Sequence, residues 1–99
     1  MVFKRALPFG TTAQLQQFAR QLISAKQPQT AMEVFQFSYD KNPDQYLTLT
    51  GMARGLSATG QYAKALEYAI QALPLAANDT GKVAVQAMID KLKAGKDIN

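Results

Sequence analysis

The 99-residue chain reads as an all-α protein, a short α-solenoid of five helices built from two helical hairpins and a C-terminal capping helix. Three observations lead there. Apolar residues recur every three or four positions through most of the chain, the period of an amphipathic helix. Breaks at Pro28, Asn42-Pro43, Gly60 and Asn78–Gly81 cut that pattern into segments of helical length. The pattern then repeats itself at an offset of 34 residues.

Met1–Gly10 shows no period, and Pro8 and Gly10 keep it from running into a helix, so residues 1–10 are expected to form a linker or N-terminal extension. Thr11 opens the first helix. The run Thr11-Thr-Ala-Gln14 fits a capping box, and the apolar stripe is Leu15, Phe18, Ala19 and Leu22. That helix is expected to end near Ala25 or Lys26. Pro28 suits the first turn of a second helix, where no N–H is missed, with Ala31, Met32, Val34, Phe35, Ser38 and Tyr39 on its inner side. Pro43 forces a stop after Asn42, and Asp44 is the expected cap of the third helix. The third helix carries Leu49, Met52, Ala53 and Leu56 and stops at Gly60, which can adopt the left-handed conformation. A fourth helix runs from Gln61 to about Leu73 with Ala65, Leu66, Ala69 and Ala72 inward, and Pro74 disturbs its last turn. Asn78-Asp79-Thr80-Gly81 reads as a turn, the fifth helix runs to Ala94, and Gly95 is its stop.

Shifting the chain by 34 residues pairs Leu15 with Leu49, Phe18 with Met52, Ala19 with Ala53, Leu22 with Leu56 and Ala31 with Ala65. Outside the apolar stripe it pairs Arg20 with Arg54, Gln27 with Gln61 and Glu33 with Glu67. This pattern resembles the tetratricopeptide repeat (TPR). The residues that the family wants at its large, small, aromatic and proline positions stand here as Leu15, Phe18, Ala19, Leu22, Ala31, Phe35, Ser38 and Pro43. The second copy departs twice, with Ala69 for the aromatic and Ala77 for the proline. The fifth helix falls into register only at an offset of 36, as Val85, Met88, Ile89 and Leu92, which implies a loop two residues longer around Pro74–Gly81. The expected organisation is a TPR-like domain over 11–95, with repeat 1 at 12–45, repeat 2 at 46–79, a capping helix at 80–94 and a tail at 96–99. A single hairpin cannot bury both its faces, and stacked hairpins bury a continuous seam. The phrases Ala53–Tyr62 and Leu92–Asn99 also resemble the C-terminal repeat tail of an exported bacterial family of unknown function.

Composition narrows the function. The chain is 47% hydrophobic and 18% charged, which suits a soluble globular domain, and its net charge is +4. Lys91, Lys93 and Lys96 read as a solvated helix end that complements the helix dipole rather than a nucleic-acid patch. With no cysteine and no histidine, disulfides, thiolate metal sites and the usual general base are excluded, and no nucleophile stands with a base. No catalysis, cofactor or metal is expected. Gly51, Gly55 and Gly60 lack the Lys-Ser/Thr of a phosphate loop and read instead as points of close helix approach. Tyr39, Tyr46, Tyr62 and Tyr68 read as packing residues.

The resemblance implies a concave face lined by the first helix of each repeat. Its facing positions are Gln16 and Arg20, Thr50 and Arg54, and, with the longer loop, Gln86 and Asp90. Two stacked guanidiniums can grip a carboxylate or phosphate. The plainer alternative pairs Arg54 with Asp90 and leaves Arg20 solvated. The family's carboxylate clamp needs Lys and Asn where Gln16, Thr50 and Gln86 stand, so that activity is not expected. The expected function is protein–protein interaction or domain docking, with a protein, a peptide or an N-terminal domain of the same parent chain as partner. A homodimer through a half-exposed seam is also open. No nucleic-acid or membrane partner is expected. The alternative is an accessory C-terminal domain of a larger, enzymatic bacterial protein. Lys4 and Arg5 follow the first apolar residues without a long apolar stretch, so no signal peptide is expected. The chain as it stands reads as cytoplasmic, or as exported if it is a fragment of that second family.

Overall fold

A computed structural model describes residues 11–99, and the expected linker at 1–10 lies outside the described residues. Five α-helices follow one another: α1 (Thr12–Ser24), α2 (Pro28–Lys41), α3 (Tyr46–Ala58), α4 (Tyr62–Ala72) and α5 (Asp79–Lys93). A 3-10 turn, Leu73–Leu75, joins α4 to α5. There is no strand among the described residues.

The local signals act largely as their chemistry requires. Thr11 and Gln14 form a reciprocal capping box, with Gln14 N–H donating to Thr11 Oγ1 at 3.1 Å and Thr11 N–H donating to Gln14 Oε1 at 2.9 Å. Pro28 is the first residue of α2. Asn42 ends that helix at the residue before Pro43. Asp44 is not the cap of α3. It takes a left-handed φ of +62° inside the turn, and Gln45 precedes the helix without a side-chain cap. Thr48 closes that turn instead, donating its hydroxyl to Asn42 O at 2.6 Å. Asn78–Gly81 is more than a turn. Asn78 is the N-cap of α5, accepting from Gly81 N–H at 2.9 Å, and the helix already includes Asp79. The extra loop residues between the hairpin and α5 are taken up by the 3-10 turn, which Pro74 helps to set.

Three helices end alike. After α1, Gln27 N–H donates to Leu22 O and Lys26 N–H to Ile23 O; after α3, Gln61 donates to Leu56 O and Gly60 to Ser57 O; after α5, Lys96 donates to Lys91 O and Gly95 to Leu92 O. Each is a Schellman stop with a left-handed residue at Lys26, Gly60 or Gly95.

Each helix packs on the next, and α1 also packs on α3. The two first helices of the hairpins are therefore neighbours on one side of the molecule. α3 is the most enclosed helix, and Leu49, Met52, Ala53 and Leu56 form the middle of one core with Leu15, Ala19, Ala31, Val34 and Phe35 on one side and Ala65, Ala69 and Ala72 on the other. Val85, Ile89 and Leu92 of α5 extend that core, in the register expected from the longer loop. Gly55 admits the second helix. A Cβ there would lie 2.6 Å from Met32 Sδ and 2.9 Å from a Phe35 ring carbon. The four tyrosines pack against the core, and Tyr39 of α2 meets Tyr68 of α4 edge to face at 5.6 Å between ring centroids.

Phe18 departs from the expected stripe. It is 38% exposed, whereas Met52, one repeat later, is 3% exposed. Met52 lies on a helix flanked by α1 and α2 as well as α4. Among the described residues, nothing lies on the far flank of α1 to cover Phe18.

Candidate functional site

Arg20 on α1 and Arg54 on α3 occupy the same register one repeat apart. Because α1 and α3 are adjacent, both side chains line one cavity of about 810 Å³. Its walls are Gln16, Gln17 and Arg20 of α1, Leu47 and Arg54 of α3, and Asp97, Ile98 and Asn99 of the C-terminal tail. That volume is within the range typical of ligand-binding clefts.

Electrostatically the groove is cationic. Burial first, and then the like charge of Arg20, pull the Arg54 guanidinium below its ordinary pKa; Tyr46 acts weakly the other way. No carboxylate is among the groups acting on Arg54, so the alternative pairing with Asp90 is not what the structure holds. Asp90 instead accepts from Gln86 Nε2 at 3.1 Å along the exposed face of α5. A guanidinium stays protonated despite such a shift, so the groove carries two arginine side chains, one exposed and one half-buried, and the Asp97 carboxylate in its wall is hydrogen-bonded to Ser57 and Asn99.

The six positions expected on a concave face separate into three groups. Arg20 and Arg54 face the cavity with Gln16 beside them. Gln16 is only 7% exposed, and its amide rests on the bare backbone of Gly51, with Nε2 lacking a hydrogen-bond partner. Thr50 is 5% exposed and donates its hydroxyl to Leu47 O at 3.1 Å, so it offers the groove nothing. Gln86 and Asp90 lie away from the arginines, and Gln86 lines a separate shallow apolar pocket with Leu73, Pro74 and Val83.

The tail was not among the expected site residues. Past Gly95 the chain turns back over α3. Ser57 Oγ donates to Asp97 Oδ1 at 2.6 Å, Ile98 N–H donates to Ser57 Oγ at 3.0 Å, and Asn99 Nδ2 donates to Arg54 O at 2.9 Å. Ile98 is half-buried against the core. Burial tends to raise the Asp97 pKa, but hydrogen bonds from Ser57 and Asn99 outweigh it and hold the carboxyl below its ordinary value. The only hint in the sequence was Ile98, an apolar residue beyond a helix stop.

Among the described residues no group of three or more acidic, cysteine or histidine side chains is placed to hold a metal, and no helix is long and apolar enough to cross a membrane. A family model described as tetratricopeptide repeat matches residues 22–89, well over half of the chain. No curated protein and no solved structure matches it, so the likeness to an exported family finds no support there.

Proposed function

We propose, from the premise that this chain belongs to the tetratricopeptide repeat family, that it docks an acidic protein or peptide segment in the groove between α1 and α3, without chemistry of its own. Repeats of this family generally mediate protein–protein interaction. The observation that carries the reading for this chain is the convergence of Arg20 and Arg54 on one cavity with no carboxylate acting on Arg54. Two guanidiniums at one wall suit a carboxylate, which each can bind in a two-pronged manner. Leu47 gives the same groove an apolar surface for an aliphatic side chain.

The test is a calorimetric titration with an acetylated, amidated pentapeptide of four aspartates around one isoleucine. Arg20→Ala/Arg54→Ala is expected to weaken binding at least roughly tenfold at low salt, since charge-assisted hydrogen bonds contribute about 1.5–3 kcal/mol each. Equal affinities for the unaltered and doubly substituted chains would remove the groove from consideration.

A further inference from the structure

The tail residues Asp97, Ile98 and Asn99 engage α3 as a bound peptide would. A carboxylate, a backbone N–H and a side-chain amide each meet a partner on a helix some forty positions earlier in the chain, and an aliphatic side chain packs against the core. None of the three residues belongs to a helix. Asp97 takes its hydrogen bonds from Ser57 and Asn99 rather than from either arginine, although it lines the same cavity. So the tail lines the groove beside the arginines and leaves both guanidiniums unspent.

We propose that residues 97–99 are an intramolecular competitor for the groove: they sit in part of the seat an acidic peptide would occupy, and the partner must displace them to reach both Ser57 and the arginines. The inference rests on the groove being a peptide seat. A segment of three irregular residues at the end of a helix belongs to the least stable part of a fold, so its release is within reach of a modest ligand. A docked tail lowers the apparent affinity according to the fraction of time the groove is closed, and weakening the tail removes that reduction.

Two measurements decide it, both with the same aspartate–isoleucine pentapeptide. In the first, affinity is compared between the unaltered chain and Asp97→Ala/Ile98→Ser, with retained helical circular dichroism as the folding control. The substituted chain is expected to bind roughly fivefold or more tightly. In the second, amide exchange at Ile98 is followed in the unaltered chain, and saturating peptide is expected to speed it while leaving α3 core amides protected. Equal affinities with unchanged Ile98 exchange would overturn the competitor and leave the groove standing. Weaker binding by the substituted chain would also overturn it, because the tail would then be part of the seat. Peptide binding to neither chain would sink the groove and the competitor together. If the substituted chain loses its helicity, the exchange measurement alone decides.

Discussion

Lys26 carries a φ of +63° at the stop after α1, the conformation taken one repeat later by Gly60 at +83° and after α5 by Gly95 at +70°. A side chain in that region costs about 1–2 kcal/mol, partly offset because glycine loses more backbone freedom on folding. Lys26→Gly is therefore expected to stabilise the domain by up to about 1 kcal/mol, seen as a higher urea midpoint at unchanged slope. A lower midpoint would mean that the Lys26 side chain makes a contact worth more than the strain. The sequence placed the stop within a residue of Lys26 but not its conformation, because no glycine marks it. The repeat offset held the missing signal, since it aligns Lys26 with Gly60. Gln16 shows the opposite limit. Register alone puts it on an open face, and only the bare surface of Gly51 opposite lets its amide fold inward.

At the scale of elements, α3 carries two glycines four residues apart, and they differ in what faces them. Alanine is favoured over glycine inside a helix by about 1 kcal/mol. At Gly55 a new methyl would strike Met32 Sδ and the Phe35 ring, and Phe35 is fully buried with nowhere to go. Overpacking of this kind costs about 1–3 kcal/mol, so Gly55→Ala is expected to lower stability by about 1–2 kcal/mol net. At Gly51 the methyl meets only the end of the Gln16 side chain, whose amide nitrogen is already unpaired and can swing into the groove. Gly51→Ala should leave stability unchanged or raise it by up to about 1 kcal/mol. Urea melts of the two variants check the order, and a reversal would mean that α2 yields more easily than the Gln16 side chain. Helix count, order and most stops were legible because proline, glycine and period act locally. The Asp44 cap was not, because a left-handed turn after Pro43 takes Asp44 out of capping geometry. The tail was not either, because its partners lie on α3, far away in the sequence.

For the molecule as a whole, burial depends on how many neighbours a helix has. The radius of gyration is 12.6 Å, close to the roughly 13 Å of a compact domain of this length, so two hairpins and a cap form one core rather than an extended superhelix. In such a short array a large share of the seam positions lie at an end. Phe18 and Met52 occupy one register, yet Phe18 is 38% exposed and Met52 3%. Periodicity identifies the face a residue lies on; it carries no information about whether a neighbouring helix covers that face. The energetic consequence is measurable. Met52→Ala removes buried atoms from an enclosed site and should cost about 2–5 kcal/mol. Phe18→Ala removes a larger side chain from a site open to water, where no closed cavity forms, and should cost only about 1 kcal/mol. Chemical melts of the two variants give the comparison directly. A Phe18→Ala cost equal to that of Met52→Ala would place a cover on the outer flank of α1 that residues 11–99 do not supply. A small cost would identify that flank as uncovered, available to another surface at little loss to the fold.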